Sequence, residues 1–295
     1  MKSFSTWTLL RCLTFFALAG VMPDRSFGQI QLSAAKEVQC VFAGDARKIS
    51  LIWHSTGDTM FEAEVRARLY QTSSATTIQL NEVPWKKLQV LPHQTVIESA
   101  QLDFPTVKAE TKFLVQWLDN TNVIGTTEVL VYPTNLLAEL KVLAGDDPVG
   151  VFDPQKQLKP LLTGLQITFT DLEEVGLDHF QGKLAIIGPF QSKSQMREGL
   201  AEQIQALAKK STAVVWIQPD PSPRPSLLGG AREKLQPSFY LVPEGQIAIV
   251  IVQPELVAKI AENPRAQLNL IYFCKLALNL EQLPVSLTLP QQSIR

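Results

Sequence analysis

The chain has 295 residues, 45% of them hydrophobic and 19% charged, with a formal net charge of −1. That composition is globular and long enough for about two domains at roughly 100–200 residues each. Lysines and arginines are scattered rather than gathered into a basic stripe, which argues against nucleic acid as a partner.

Residues 1–28 read as a secretory signal. Lys2 and Arg11 give a positive start, and the apolar run Leu13–Met22 is about ten residues, too short for a bilayer that needs about 20. Small residues at Ser26 and Gly28 then suit signal peptidase. Cys12 precedes the apolar run, so a lipoprotein anchor is not indicated. The expected location is exported, periplasmic or extracellular, with no transmembrane segment after cleavage. Removal of residues 1–28 leaves a charge near −3 and two cysteines, Cys40 and Cys274. These could form a disulfide in an oxidising compartment. Two separate buried thiols is the plainer expectation, because the residues fall in different predicted domains.

From residue 29 to 133 the apolar period is two. In "FEAEVRARLY", Phe61, Ala63, Val65, Ala67 and Leu69 alternate with Glu62, Glu64, Arg66 and Arg68, which predicts a strand with one buried and one wet face. "KISLIWHS", "TTIQL", "TVIESAQLDF", "KFLVQWLD" and "TTEVLVYP" follow the same logic, separated by turn residues such as Ser55–Asp58 and Asp119–Asn122. Six or seven short strands without a helix predict an antiparallel β-sandwich, its strand order left open. Trp117 runs in phase with Phe113 and Val115 and is expected in the core, like most strand tryptophans. Trp85, in the less regular "NEVPWKKL", is the tryptophan expected to be exposed and available to stack on a sugar.

Residues 134–148, "TNLLAELKVLAGDDP", read as a helical connector. From 149 to 282, apolar runs alternate with helical patterns. "VGVFD" precedes a predicted helix over 155–165, and "ITFTDL" follows it. "KLAIIGP" precedes a helix with Met196, Leu200, Ile204 and Leu207 on one face. "AVVWIQP", a Pro-rich loop, "QIAIVIVQP" and a last helix over 265–278 complete the series. This alternation predicts a mostly parallel sheet covered on both faces, a three-layer, flavodoxin-like α/β domain. Residues 283–295 are expected to form a loose tail.

Four predicted strands end on a residue followed by proline: Asp153-Pro154, Gly188-Pro189, Gln218-Pro219 and Gln253-Pro254. Proline ends strand pairing and can start a helix, which is a sufficient structural cause. Ligands in open α/β sheets gather beyond these carboxyl ends, so Asp153, Gln218 and Asp220 are the candidate ligand-binding residues, with Trp85 a separate candidate.

"VGVFDPQKQLKPLLTGLQITFTDLEE", "KLAIIGP", "TAVVWIQP" and "NPRAQLNLIYFCKLALN" together resemble a class I glutamine amidotransferase-like domain over about residues 148–280. Similar domains accompany β-sandwiches in exported bacterial proteins of the β-galactosidase type. The resemblance implies a Gly-x-Cys-x-Gly turn just after "TAVVWIQPD" and a downstream His-x-Glu. Here Trp216-Ile217-Gln218-Pro219-Asp220 stands at the turn, and no histidine follows His179. A thiolate nucleophile with an activating base is therefore not expected.

Other chemistry is thinly represented. His54, His93 and His179 have no ligand-like spacing for zinc. Asp171, Glu173 and Glu174 form a carboxylate cluster of the kind that more often marks a solvated helix start than a glycosidase pair. Gly229-Gly230 reads as a flexible loop, and the prolines at 219, 221, 223 and 225 as a stiff connector. No catalytic residue, cofactor or metal is expected. The sequence points to a non-catalytic binding or scaffold protein with a protein or glycan partner in the cell envelope. The alternative is a carbohydrate-active enzyme or accessory module with a pocket at the carboxyl edge of the α/β sheet.

Overall fold

The computed structural model describes residues 30–33, 38–219, 233–236, 239–244 and 247–279. Its first eight strands are β1 (Ile30–Ser33), β2 (Gln39–Phe42), β3 (Gly44–Ser55), β4 (Phe61–Thr72), β5 (Thr77–Val90), β6 (Thr95–Phe104), β7 (Thr111–Asp119) and β8 (Asn122–Tyr132). They form a three-stranded sheet, β1-β3-β6, and a five-stranded sheet, β2-β8-β7-β4-β5. All pairs are antiparallel except β2 with β8.

The period of two explains the packing. On β4, Phe61, Ala63, Val65, Ala67 and Leu69 are buried while Glu62, Glu64 and Arg66 are exposed. The inward residues of both sheets meet in one core: Ile49, Leu51 and Trp53 from β3 lie with Val65, Phe113, Val115, Trp117, Val129 and Val131. Where β1 ends, a side chain continues its pairing. Gln39 donates from Nε2 to the Ser50 carbonyl and accepts the Ser50 N–H at Oε1, both at 2.7 Å. One amide side chain thus mimics a peptide unit and ties β2 of one sheet to β3 of the other.

"TIQL" of the first run and "NEVPWKKL" belong to one 14-residue strand, β5. Val65 faces Lys86 while Arg66 faces Pro84, so Trp85 is an extra residue at a bulge; Leu80 is a second, between Asn81 and Gln79. Pro84 has no N–H to give the ladder, and β5 is an edge strand, the place where such a residue is tolerated. The bulge changes the phase of the inward residues. Val83 and Trp85 pack on the core before it, Leu88 and Val90 after it.

The remaining residues form a seven-stranded sheet in the order β10-β9-β11-β12-β15-β14-β13. Its parallel strands are β9 (Val149–Phe152), β10 (Phe169–Asp171), β11 (Leu184–Ile187), β12 (Ala213–Ile217) and β15 (Ile247–Val252). An antiparallel hairpin, β13 (Glu233–Gln236) and β14 (Phe239–Glu244), extends one edge. The fold is therefore β plus α/β, with antiparallel sheets followed by a mostly parallel one. The hairpin falls where the sequence reads as a loop, because a short edge hairpin leaves little periodic signal.

Helices α1 (Glu139–Ala144), α2 (Lys159–Gly164), α3 (Leu172–Val175), α4 (Leu200–Lys209) and α5 (Pro264–Leu278) surround this sheet. Val149, Val151, Leu184, Ile186, Val215 and Val250 share a core with Leu140, Leu162, Leu270 and Cys274. The alternate residues, Phe152, Ala185, Ile187, Val214, Trp216 and Ile251, share another with Leu172, Leu200, Ile204 and Leu207. β9, β11 and β12 are buried on both faces, which is why they read as continuous apolar runs. Connector residues Leu137 and Leu140 are fully buried in the first of these cores. The helix expected over 155–165 begins only at Lys159, and Met196 lies ahead of α4 rather than within it. Among the described residues no helix is long and apolar enough to cross a membrane.

Candidate functional site

The carboxyl edge of the parallel sheet begins at Asp153, the residue after β9. Its side chain is completely buried. Oδ1 accepts the N–H of Gln157 at 3.1 Å, and Oδ2 accepts those of Leu158 at 2.7 Å and Lys159 at 2.9 Å. The Lys156 N–H also closes on the Asp153 carbonyl at 3.0 Å. The loop therefore wraps around the carboxylate before α2 starts. Amides at such a turn are a natural seat for an external anion, and here Asp153 supplies that anion from within the chain.

Beside it, Lys159 Nζ lies 2.5 Å from both Asp171 Oδ2 and Glu173 Oε2. Glu173 Oε2 also accepts the Asp153 N–H at 3.3 Å, and Asp171 Oδ1 caps α3 by accepting the Glu173 N–H at 2.9 Å. Burial alone pushes the Asp171 carboxyl up. The Lys159 ammonium and the Glu173 amide outweigh it and hold Asp171 below the usual carboxylate range. Burial likewise lowers the Lys159 ammonium, but hydrogen bonds to Asp171 and Glu173 leave it raised overall. An aspartate held below its ordinary range is ionised at neutral pH and has no proton to give as a general acid. Glu174, the third member of the sequence cluster, is exposed, as is His179.

The next strand ends close over the edge. Gly188 has φ +105°, and a Cβ there would stand 2.3 Å from the Ile217 carbonyl oxygen, so only glycine fits this approach of β11 to β12. Its N–H donates to the Phe152 carbonyl at 2.8 Å. The Phe152 and Phe190 rings lie 5.9 Å apart, and the Arg197 guanidinium sits 5.3 Å from the Phe152 ring centre. Gln195 Oε1 accepts from Gln191 N at 2.8 Å and from Gln155 Nε2 at 3.1 Å, which joins the loops after β9 and β11. Strand order reverses between β9 and β11, the place where an open α/β sheet admits its ligand. Aromatic rings and the glutamine bridge occupy that place here.

Gln218, after β12, is buried, and its N–H donates to the Val252 carbonyl at 2.9 Å. The backbone thus stays in the ladder beyond the last residue of the strand. Asp153 and Gln218 follow strands separated by β11, roughly 10 Å apart at about 4.8 Å per strand. The Asp153 carboxylate is turned onto its own loop. Asp220 lies outside the described residues, as do the prolines at 221, 223 and 225 and Gly229-Gly230.

Trp85 differs from its expected exposure. It is half-buried, 6.5 Å from Trp53 and 5.0 Å from Trp117 between ring centres, with Lys86 Nζ 5.4 Å from its own ring centre. The bulge places the ring against the core, and Lys86, paired with Glu98 at 2.7 Å, stands near its remaining face. Trp117 is fully buried, with Nε1 donating to Thr127 Oγ1 at 3.0 Å. Cys40 and Cys274 are both free thiols, the first half-buried and the second fully buried. Sequence reasoning passed over Lys159, Gln195 and Arg197. Each acts across a loop or strand boundary, where no local period marks it.

The sequence matches no protein-family model and no curated protein. Solved structures offer partial likenesses. One is an alkylpurine DNA glycosylase, AlkC, of Pseudomonas fluorescens, at 12% identity and TM-score 0.25 over 35% of this chain and 30% of that one. Another is a β-glucosidase of Listeria innocua, at 10% identity and TM-score 0.26 over 35% and 16%. The sporulation control protein Spo0M of Bacillus subtilis is similar at 9% identity and TM-score 0.27 over 40% and 56%. The chain thus spans less than two thirds of each of these proteins.

Proposed function

We propose that this is an exported, non-catalytic binding or scaffold protein. In this reading residues 29–133 form a β-sandwich domain, residues 134–148 a connector, and residues 149–282 a degenerate glutamine amidotransferase-like domain of flavodoxin-like, three-layer form. The observation that carries the reading is the state of the carboxyl edge. At that edge Asp153 holds three backbone amides and Lys159 bridges Asp171 and Glu173. Gln218 stands where the resemblance would require a nucleophile. A partner in the cell envelope, protein or glycan, would then be met by outer surfaces rather than by this edge.

Incubation of the purified protein with glutamine and with chromogenic glycosides tests the point. The expected result is no turnover above the heat-denatured control. Turnover that Asp171→Asn or Gln218→Ala abolishes, without loss of folding, would overturn the reading in favour of a catalytic edge.

A further inference from the structure

Strands β5 and β6 end their respective sheets, and the two edges are finished differently. β5 carries Pro84, bulges at Leu80 and Trp85, and the cations Lys86 and Lys87, all features that keep an edge from pairing with another chain. β6 contains no proline or glycine, and its register against β3 runs unbroken from Thr95 to Leu102. Its one inward charge, Glu98, is neutralised by Lys86 at 2.7 Å.

The ladder fixes which backbone groups of β6 are spare. Hydrogen-bonded and non-bonded pairs alternate along an antiparallel ladder. Gln94, just before β6, accepts the Ser55 N–H at 2.9 Å, so the even-numbered residues of β6 bond to β3. Ser50, opposite Ser99, gives its N–H and its carbonyl to the Gln39 side chain and has neither left for Ser99. Both observations turn the N–H and C=O of Thr95, Ile97, Ser99 and Gln101 away from β3. Among the described residues no strand pairs with that edge. The side chains of these residues are exposed, Ile97 to 77%, with the half-exposed Ile52 opposite it on β3.

We propose that β6 pairs antiparallel with β6 of a second copy of this chain, about a two-fold axis at Ser99. The spare groups are self-complementary in that register. Ser99 faces the partner's Ser99, Ile97 the partner's Gln101 and Thr95 the partner's Asp103, so each outward N–H meets an outward carbonyl. No like charges oppose. Glu98 faces the partner's Ala100, and the Asp103 carboxylate is turned onto its own chain, where it accepts the Ala46 N–H at 2.7 Å. An axis at Ala100 would instead set Ile97 against the partner's Asp103 and Glu98 against the partner's Leu102. The two-fold contact uses one patch twice, so assembly stops at the dimer. This edge is separate from the carboxyl edge of the parallel sheet, and the pairing does not depend on the non-catalytic reading.

Sedimentation of the purified protein from about 1 to about 100 µM tests it, a range suited to an interface at the small end of its class. The expected result is a reversible monomer–dimer equilibrium. Ser99→Lys sets two ammonium groups face to face on the axis and should weaken the dimer by about tenfold or more, the factor that about 1.4 kcal/mol represents. Ser99→Pro removes an N–H that the monomer does not use and should abolish the dimer while the monomer stays folded. In hydrogen exchange, the Ile97, Ser99 and Gln101 amides should gain protection as concentration rises. A monomer at every concentration, or a dimer equally tight in Ser99→Lys, overturns the proposal. Protection of those three amides in a monomer overturns it too, because another segment of the same chain would then cover the edge.

Discussion

The strands of residues 30–132 and those of residues 149–252 handle polar side chains in opposite ways. On β4 every second residue meets water, and the outer face carries ion pairs such as Lys87 with Glu62 and Arg66 and Arg68 with Glu82. Solvent screens these pairs, so each contributes little to stability. On β9, β11 and β12 every residue is buried. Polar residues then stand where the strands stop, and there Asp153 and Gln218 are buried. Position relative to the strand, more than residue type, decides what a charge is worth in this protein.

The largest effect that sharpens this comparison should come from Asp153→Ala. The substitution leaves three loop amides without their acceptor in a buried place, at a cost on the order of 3–5 kcal/mol. Urea denaturation followed by fluorescence checks it. Trp216 is buried in the C-terminal sheet, whereas Trp53, Trp85 and Trp117 lie together in the N-terminal core. The shift should appear in the component that Trp216→Phe removes. An equal shift in both components would mean that the halves unfold as one unit. Asp153→Asn retains one acceptor oxygen and should cost roughly half as much.

Leu88→Ala, in the N-terminal core, should cost about 2–4 kcal/mol through the cavity it leaves. In contrast, Glu62→Gln on the outer face of the same sheet should leave the midpoint almost unchanged. A large effect of Glu62→Gln would break the distinction between the two kinds of polar position.

A smaller effect, about 1 kcal/mol, is expected for Lys159→Gln, and its pH dependence is more informative than its size. Asp171 is lowered from 3.8 in the folded state, so its contribution is present above that value and is lost as pH falls through the folded one. Lys159 is raised from 10.5, so its contribution is present below that value and is lost as pH rises through the folded one. The stability difference between wild type and variant should therefore be flat from about pH 5 to about pH 9 and shrink toward both extremes. A difference that grows on acidification would show that Lys159 does not hold Asp171 ionised.

The least perturbing test compares the cysteines. Burial pushes the Cys274 thiol well above its ordinary range, and the residue is fully enclosed in α5. Cys40 is half-buried. Peptide mapping after brief alkylation of the native protein should find Cys40 modified and Cys274 untouched.

Much of the architecture was legible in the residues. Alternation in "FEAEVRARLY" placed β4 and its inner face, and the apolar runs marked β9, β11, β12 and β15. Each of the four X-Pro pairs falls at a strand end, after Phe152, Ile187, Ile217 and Val252. Trp85 was harder. The bulge beside Pro84 shifts the inward phase within β5, so a reading that assumes one phase puts this ring on the wrong side. The edge was half legible: Asp153 stood out by its place after a strand, but nothing local showed whether its carboxylate faces a ligand or its own loop.

The sequence by itself determined the periods, the ends of the strands and the residue types at the carboxyl edge. Hydrophobic periodicity is written within a few residues, so burial follows from it directly. The tertiary structure alone decided strand order, the direction of the Asp153 side chain and the meeting of Lys159 with Asp171 and Glu173. It also brought Arg265 onto Val38, 227 residues away. Such pairings depend on register and on packing between distant segments, and a shift of one residue along a strand would turn each side chain to the other face.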